Sequence, residues 1–255
     1  MSTVVVHQAR YELLAFWRNT QGRFVTLALP IVFLVLFTSV FGDGHIEVDG
    51  RDVRQATYYV GYVAALGVVS AAFTSLVIMV TIDRESGILK RRRAAPVSGT
   101  GLIAGRVASA AVIAIAAVAC LLVVARIAYD VKPEPVKLPA VVLATVVGAA
   151  SFACLGYAVA SFIRSADAAN PVTQCILLPL FFISGVFVPS DEIPSGLLSV
   201  ADVLPVRPLA QALYAPFDPA TTGAAIAGGD LLVVALWGVA GIVIATLRFS
   251  WAPRG

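Results

Sequence analysis

Residues 57–82 read TYYVGYVAALGVVSAAFTSLVIMVTI, and residues 83–96 continue DRESGILKRRRAAP. The first stretch holds no charged side chain. A helix needs about 20 predominantly apolar residues to cross the hydrocarbon of a bilayer, and this one has enough to cross with some tilt. The second stretch carries Arg84, Lys90, Arg91, Arg92 and Arg93. Basic clusters of this kind gather beside membrane spans on the cytoplasmic side. The pair therefore reads as a membrane-spanning helix that runs into a basic cytoplasmic loop.

The same pattern extends outward in both directions. The 255 residues are 59% hydrophobic and 13% charged, where a soluble domain is about 25% charged. Mean hydropathy is +0.91. This balance argues against a cytosolic enzyme, a disordered tail and a nucleic-acid-binding module. The expected fold is an all-α, polytopic integral membrane protein with six transmembrane helices, at about 24–41, 57–82, 107–129, 140–163, 172–188 and 224–247. The first 23 residues lack a signal-peptide pattern. Within them Tyr11, Leu13, Leu14, Phe16 and Trp17 alternate with Arg10, Glu12 and Arg18, which suits an interfacial helix over 7–22. Residues 42–56 are polar and acidic and read as a loop, 83–106 as a basic loop, 130–139 as a proline-rich loop, and 164–171 as a short loop. Residues 189–222 hold two helical patterns of about ten residues each, too short to span. They read as re-entrant helices before the last span, or as a folded external loop. All of 1–255 forms one transmembrane domain.

Six spans put both termini on one side. That side collects Arg10, Arg18, Arg23, Arg84, Lys90, Arg91, Arg92, Arg93, Arg106, Arg164, Arg248 and Arg254. The other collects only Arg51, Arg54, Lys132, Lys137 and Arg207. The positive-inside rule then places both termini in the cytoplasm of a cell inner (plasma) membrane.

The chemistry available to such a chain is narrow. Cys120, Cys154 and Cys175 all lie in apolar runs and form no disulfide framework. The two histidines, His7 and His45, are far apart, and no CxxC or HExxH occurs, so no metal site is expected. The span interiors hold almost no ionisable residue for an ion relay; Asp83, Arg126 and Asp230 sit at span ends. An ion-coupled carrier would rest on Asp230 alone, and no clustered constellation supports a lipid-modifying enzyme. The sequence also has no GxxxxGK[ST] phosphate loop. If the protein pumps, its energy must come from a separate subunit docked on the cytoplasmic face. The basic loop is the best docking surface: Gly87 permits a bend, residues 88–95 have length for two helical turns, and Pro96 stops them. The same charges also suit an orientation signal lying on anionic lipid.

At this loop a family resemblance enters. Glu85-x-Gly87-x-Leu89-Lys90-Arg91, then Ala95-Pro96-Val97-Ser98, Leu102 and Gly105-Arg106, resembles the first cytoplasmic loop of ABC-2 type transporter permeases. A second match runs through Ala169-Asn170-Pro171, Gln174 and 178–189 (LPLFFISGVFVP). It continues into Glu192-Ile193-Pro194, Leu197, Leu204-Pro205 and Pro208-Leu209. Arg92 departs from the family, which often has Leu there. The resemblance implies a permease of an ATP-driven exporter, most similar to daunorubicin-type multidrug exporters and hence to antibiotic-resistance efflux. Its relatives also move lipid-linked saccharides or lipo-oligosaccharides. The chain would have no catalytic site and bind no cofactor. Two copies of a cytoplasmic ABC ATPase would use ATP and Mg, a second permease copy would complete a homodimer among the membrane lipids, and a hydrophobic small molecule would be the cargo. Glu85, Gly87, Leu89, Lys90, Arg91, Arg92, Arg93 and Pro96 would form the coupling helix.

The fifth span supplies candidate cavity residues. Phe181, Phe182 and Phe187 lie beside Ser184 and Gly185, with Pro179 opening the helix nearby. Small residues let helices approach, and aromatics at such an irregularity suit an apolar binding cavity as well as ordinary interhelical packing. Phe73, in the small-residue second span, is their companion.

Overall fold

The computed structural model describes residues 2–42, 44–48, 51–88 and 99–248. It is an all-α polytopic membrane protein, with six helices among the described residues long and apolar enough to cross a bilayer. Helix α1 (Ser2–Arg18) precedes the first span, α2 (Thr20–Phe41). A two-stranded hairpin follows, β1 (His45–Val48) and β2 (Arg51–Arg54). The second span comprises α3 (Gln55–Val69), a π-helical segment (Ser70–Thr74) and α4 (Ser75–Glu85). The remaining spans are α5 (Gly99–Tyr129), α6 (Leu138–Ala160), α7 (Ala166–Ile183) and α10 (Gly228–Arg248). Two short helices, α8 (Ser195–Val203) and α9 (Val206–Tyr214), lie between α7 and α10.

Several boundaries differ from the sequence expectation, each for a local reason. The interfacial helix expected at 7–22 ends at Arg18. Asn19 takes a non-helical backbone there, and its side-chain oxygen accepts the Gly22 amide at 2.9 Å. That caps a new helix. Residues 42–56, read as a loop, contain an antiparallel hairpin with His45 opposite Arg54 and Ile46 opposite Val53. The alternation of Ile46, Val48 and Val53 with polar residues, around Asp49-Gly50, is a hairpin signal in the sequence. Residues 99–106, read as the end of the basic loop, are the first two turns of α5. The proline-rich loop ends early, because Pro139 sits in the first turn of α6, where a missing N–H costs little.

The fifth span runs over Ala166–Ile183 rather than 172–188. Pro171 is inside it, yet the carbonyl it leaves unpaired belongs to the first turn. At the other end Gly185 adopts φ 88°, a conformation that stops the helix and suits glycine. A Cβ there would lie 2.8 Å from Tyr62 Cε1 and 2.9 Å from the Tyr58 hydroxyl. The last span starts at Gly228, not 224.

The second span is the axis of the molecule. Every residue of α3 except Thr57 is buried, and 72% of its span is enclosed, against 22–33% for the first, third, fifth and sixth. This is why residues 58–69 carry no charged side chain: protein surrounds them. Helix α9 lies directly on α3 at Gly61, where an added Cβ would collide with Tyr214 Cα. Around this axis the molecule has two ends. The loop end carries α4's terminus and the start of α5; the hairpin end carries β1, β2, α8 and α9.

Candidate coupling end and transport groove

At the loop end, three consecutive residues of α4 reach three neighbours. Asp83 Oδ2 accepts from Arg106 Nη2, and Arg106 Nε also donates to Glu12 Oε1 of α1 at 3.0 Å. Arg106 is buried, and Gln8 Nε2 adds a bond to Glu12 Oε1 at 2.7 Å. Gly105 lets α1 come this close, since a Cβ there would sit 2.6 Å from the Gln8 Cβ. Arg84 is 1% exposed and donates to the carbonyls of Ala160, at 2.9 Å, and Ile163 at the end of α6. A cation at a helix C-terminus also meets the negative end of its dipole. Glu85 Oε2 accepts the Ala166 amide at 2.7 Å, at the start of α7.

Gly87 turns the chain just beyond α4, with φ 71°. Of the other residues expected to couple to a motor, Leu89, Lys90, Arg91, Arg92, Arg93 and Pro96 lie outside the described residues. Asp83 thus pairs with Arg106 of α5, while its neighbour Arg84 turns to α6.

A groove of about 860 Å³ begins at this end, within the size of small-molecule sites. Glu12, Asn19 and Arg106 line its start. Further along, Ser70, Thr74 and Ser75 of the π segment and its edge share its wall with Asn170 and Gln174 of α7. Beyond them lie Leu29, Phe33, Leu66, Leu177, Phe181 and Phe187. Exposed Val25, Leu29 and Leu178 flank the groove, so it opens sideways. Its polar side chains are interleaved at the loop end with Phe16, Ile78, Met79 and Ile82, and its far part is apolar and aromatic.

The expected cavity residues divide. Phe181 and Phe187 line the groove, and Phe187 gathers Phe33 at 5.4 Å, Phe37 at 5.9 Å and Phe181 at 5.7 Å. Phe182 touches Phe187 edge-on at 5.1 Å but is 53% exposed and turns away from the groove. Ser184 is buried and donates to the Phe181 carbonyl at 3.2 Å, holding the helix end. Phe73 is packed edge-on against Phe152 at 6.3 Å, where the π segment meets α6. The π segment rotates the following turn and so decides which residues face the groove. Sequence reasoning missed Ser70, Thr74 and Ser75, although three hydroxyls within six residues of a span interior are a signal.

The hairpin end is tied across the same axis. Tyr58 donates to the Gly185 carbonyl at 2.8 Å and lies 3.5 Å from Ser190 Oγ. Arg207 of α9 donates to Ser190 Oγ at 3.0 Å and to Asp202 Oδ1 at 2.6 Å.

The model of the ABC-2 type transporter family matches residues 5–217, and the chain belongs to that family. No curated protein matches it. The family makes this chain an ABC permease component in partnership with an ABC ATPase.

Proposed function

We propose that this chain is the membrane half of an ATP-driven exporter, moving a hydrophobic or amphiphilic compound of drug or antibiotic type. The observation that carries this reading is the groove, which offers a cargo both a polar wall and an aromatic pocket within an ABC-2 permease. Such a groove accepts an amphiphile from the side, out of the adjacent leaflet. The positive-inside balance puts the loop end in the cytoplasm, where two ATPase copies, holding ATP and Mg, meet residues 83–106. A second copy of this chain faces α7. Asn170 and Gln174 are exposed on that helix, and an amide facing hydrocarbon is costly, so this face meets protein or a water-filled path. The short helices α8 and α9 form the lid at the exit.

Purification from native membranes, followed by reconstitution in proteoliposomes, tests the reading. An ATPase is expected to co-purify, and uptake of a fluorescent hydrophobic cation into inverted vesicles is expected to require ATP. Transport that persists without nucleotide and collapses with the proton gradient would identify an ion-coupled carrier instead.

A further inference from the structure

We propose that α4 is a lever, hinged at the π segment, and that Asp83, Arg84 and Glu85 are the positioning residues at its loaded end. The inference rests on the permease reading above and concerns how movement at the loop reaches the groove.

The connections of the two ends differ. Asp83, through Arg106, joins α4 to α5 and α1. Arg84 joins it to the end of α6, and Glu85 to the start of α7. Helices α5, α6 and α7 are thus tied to a single turn of α4, and α1 is tied to it through Arg106. Asp83 and Arg106 also stand on either side of residues 89–98 in the chain, so one buried ion pair joins the two helices that this stretch connects. Energetic coupling between distant sites is carried by such chains of packed side chains, hydrogen bonds and ion pairs.

The other half of the span is held elsewhere. Helix α3 is enclosed almost completely and is fixed at the hairpin end by Tyr58, by Gly185 and by the contact of Gly61 with α9. Between the fixed half and the tied half lies Ser70–Thr74, where the helix holds an extra residue in its turn. Ser75 Oγ donates to the Ser70 carbonyl at 3.0 Å across that turn. A π turn is where a helix bends or changes its local winding most readily. Rewinding it turns α4 relative to α3, and the residues carried through that change, Ser70, Thr74 and Ser75, are the polar wall of the groove.

The test uses the full complex with its ATPase. Asp83→Asn cuts the tie to α4 but leaves Arg106 paired with Glu12. Cargo moved per ATP hydrolysed is expected to fall about tenfold, with hydrolysis itself within about twofold of the unaltered complex. Asp83→Glu, which keeps the charge, is expected to restore at least half of the ratio. A merely structural role would lower transport and hydrolysis in proportion to the amount of folded complex and leave the ratio unchanged; that result overturns the lever. Should Asp83→Asn not assemble, Glu85→Gln, which weakens one exposed bond, carries the same expectation and the same overturning result. Spin labels at Ile82 and Val136 are expected to change separation when nucleotide is added, and labels at Thr57 and Val136 are not. No change at Ile82 also overturns the proposal. Absence of ATP-dependent transport in the unaltered complex would instead refute the permease reading.

Discussion

Arg106 illustrates how one side chain holds a membrane protein together. Its guanidinium bridges the Glu12 carboxylate of α1 and the Asp83 carboxylate of α4. Replacing it with Leu leaves two carboxylates in a site built for a cation, and breaking a buried pair in this way costs about 3–5 kcal/mol. Arg106→Leu is therefore expected to lower the melting temperature in detergent sharply. Arg126→Ala, which removes a half-exposed pair with Asp130, is expected to leave it almost unchanged. Gly185 makes the same point for the backbone. Gly185→Ala meets both a left-handed φ and the Tyr58 and Tyr62 rings, at a cost of about 2–4 kcal/mol. Gly223→Ala has the φ problem alone, with open space around it, and is expected to cost roughly 1 kcal/mol. Thermal unfolding of the purified variants checks both pairs.

Between residues and the whole lies the behaviour of elements. Helix α9 is nine residues long, too short to cross a bilayer, yet its Val206, Leu209, Ala210 and Leu213 are completely buried. It is held by the groove in α3 that Gly61 leaves open. Gly61→Leu is expected to displace α9, so that a cysteine placed at Leu213 reacts with a water-soluble maleimide in the double variant and not in Leu213→Cys alone. Equal labelling in both would mean that α9 is not seated by this contact. Helix α8 differs, with Leu197, Val200 and Val203 all exposed. Trp237 Nε1 ties it to α10 by donating to the Val203 carbonyl at 2.7 Å. The similar periodicity of the two segments concealed this difference in burial.

For the whole molecule, the proposed arrangement makes two further expectations. With the loop end in the cytoplasm, a single cysteine at Ser86 is expected to label only after the membrane is opened, and one at Ala220 in intact cells; the reverse pattern would invert the topology. With a second copy on α7, oxidation of a variant keeping only Cys175, which is exposed on that helix, is expected to yield covalent dimers. A variant keeping only Cys120, exposed on α5, is expected to remain monomeric on a denaturing gel. Dimers from Cys120 and none from Cys175 would move the interface to α5.

The number and order of the apolar helices were legible from residues alone, because the cost of an unpaired polar group in hydrocarbon permits few solutions for long apolar runs. Helix termini were less legible. Pro139 and Pro171 read as boundaries, but Pro139 falls in the first turn of α6 and Pro171 leaves unpaired only a first-turn carbonyl of α7. Glu85 and Gly87 stood out by motif, whereas the partners of Asp83 and Arg84 did not, because Glu12, Arg106, Ala160 and Ile163 are distant in sequence. Nor could periodicity say which Phe would face a groove, since a single π turn changes the phase of everything after it. Composition and run length determined that the chain lives in a membrane as a helical bundle. Only the tertiary structure decided which helix stands at its centre and which side chains share its groove, because burial and ion pairing depend on neighbours that folding brings together.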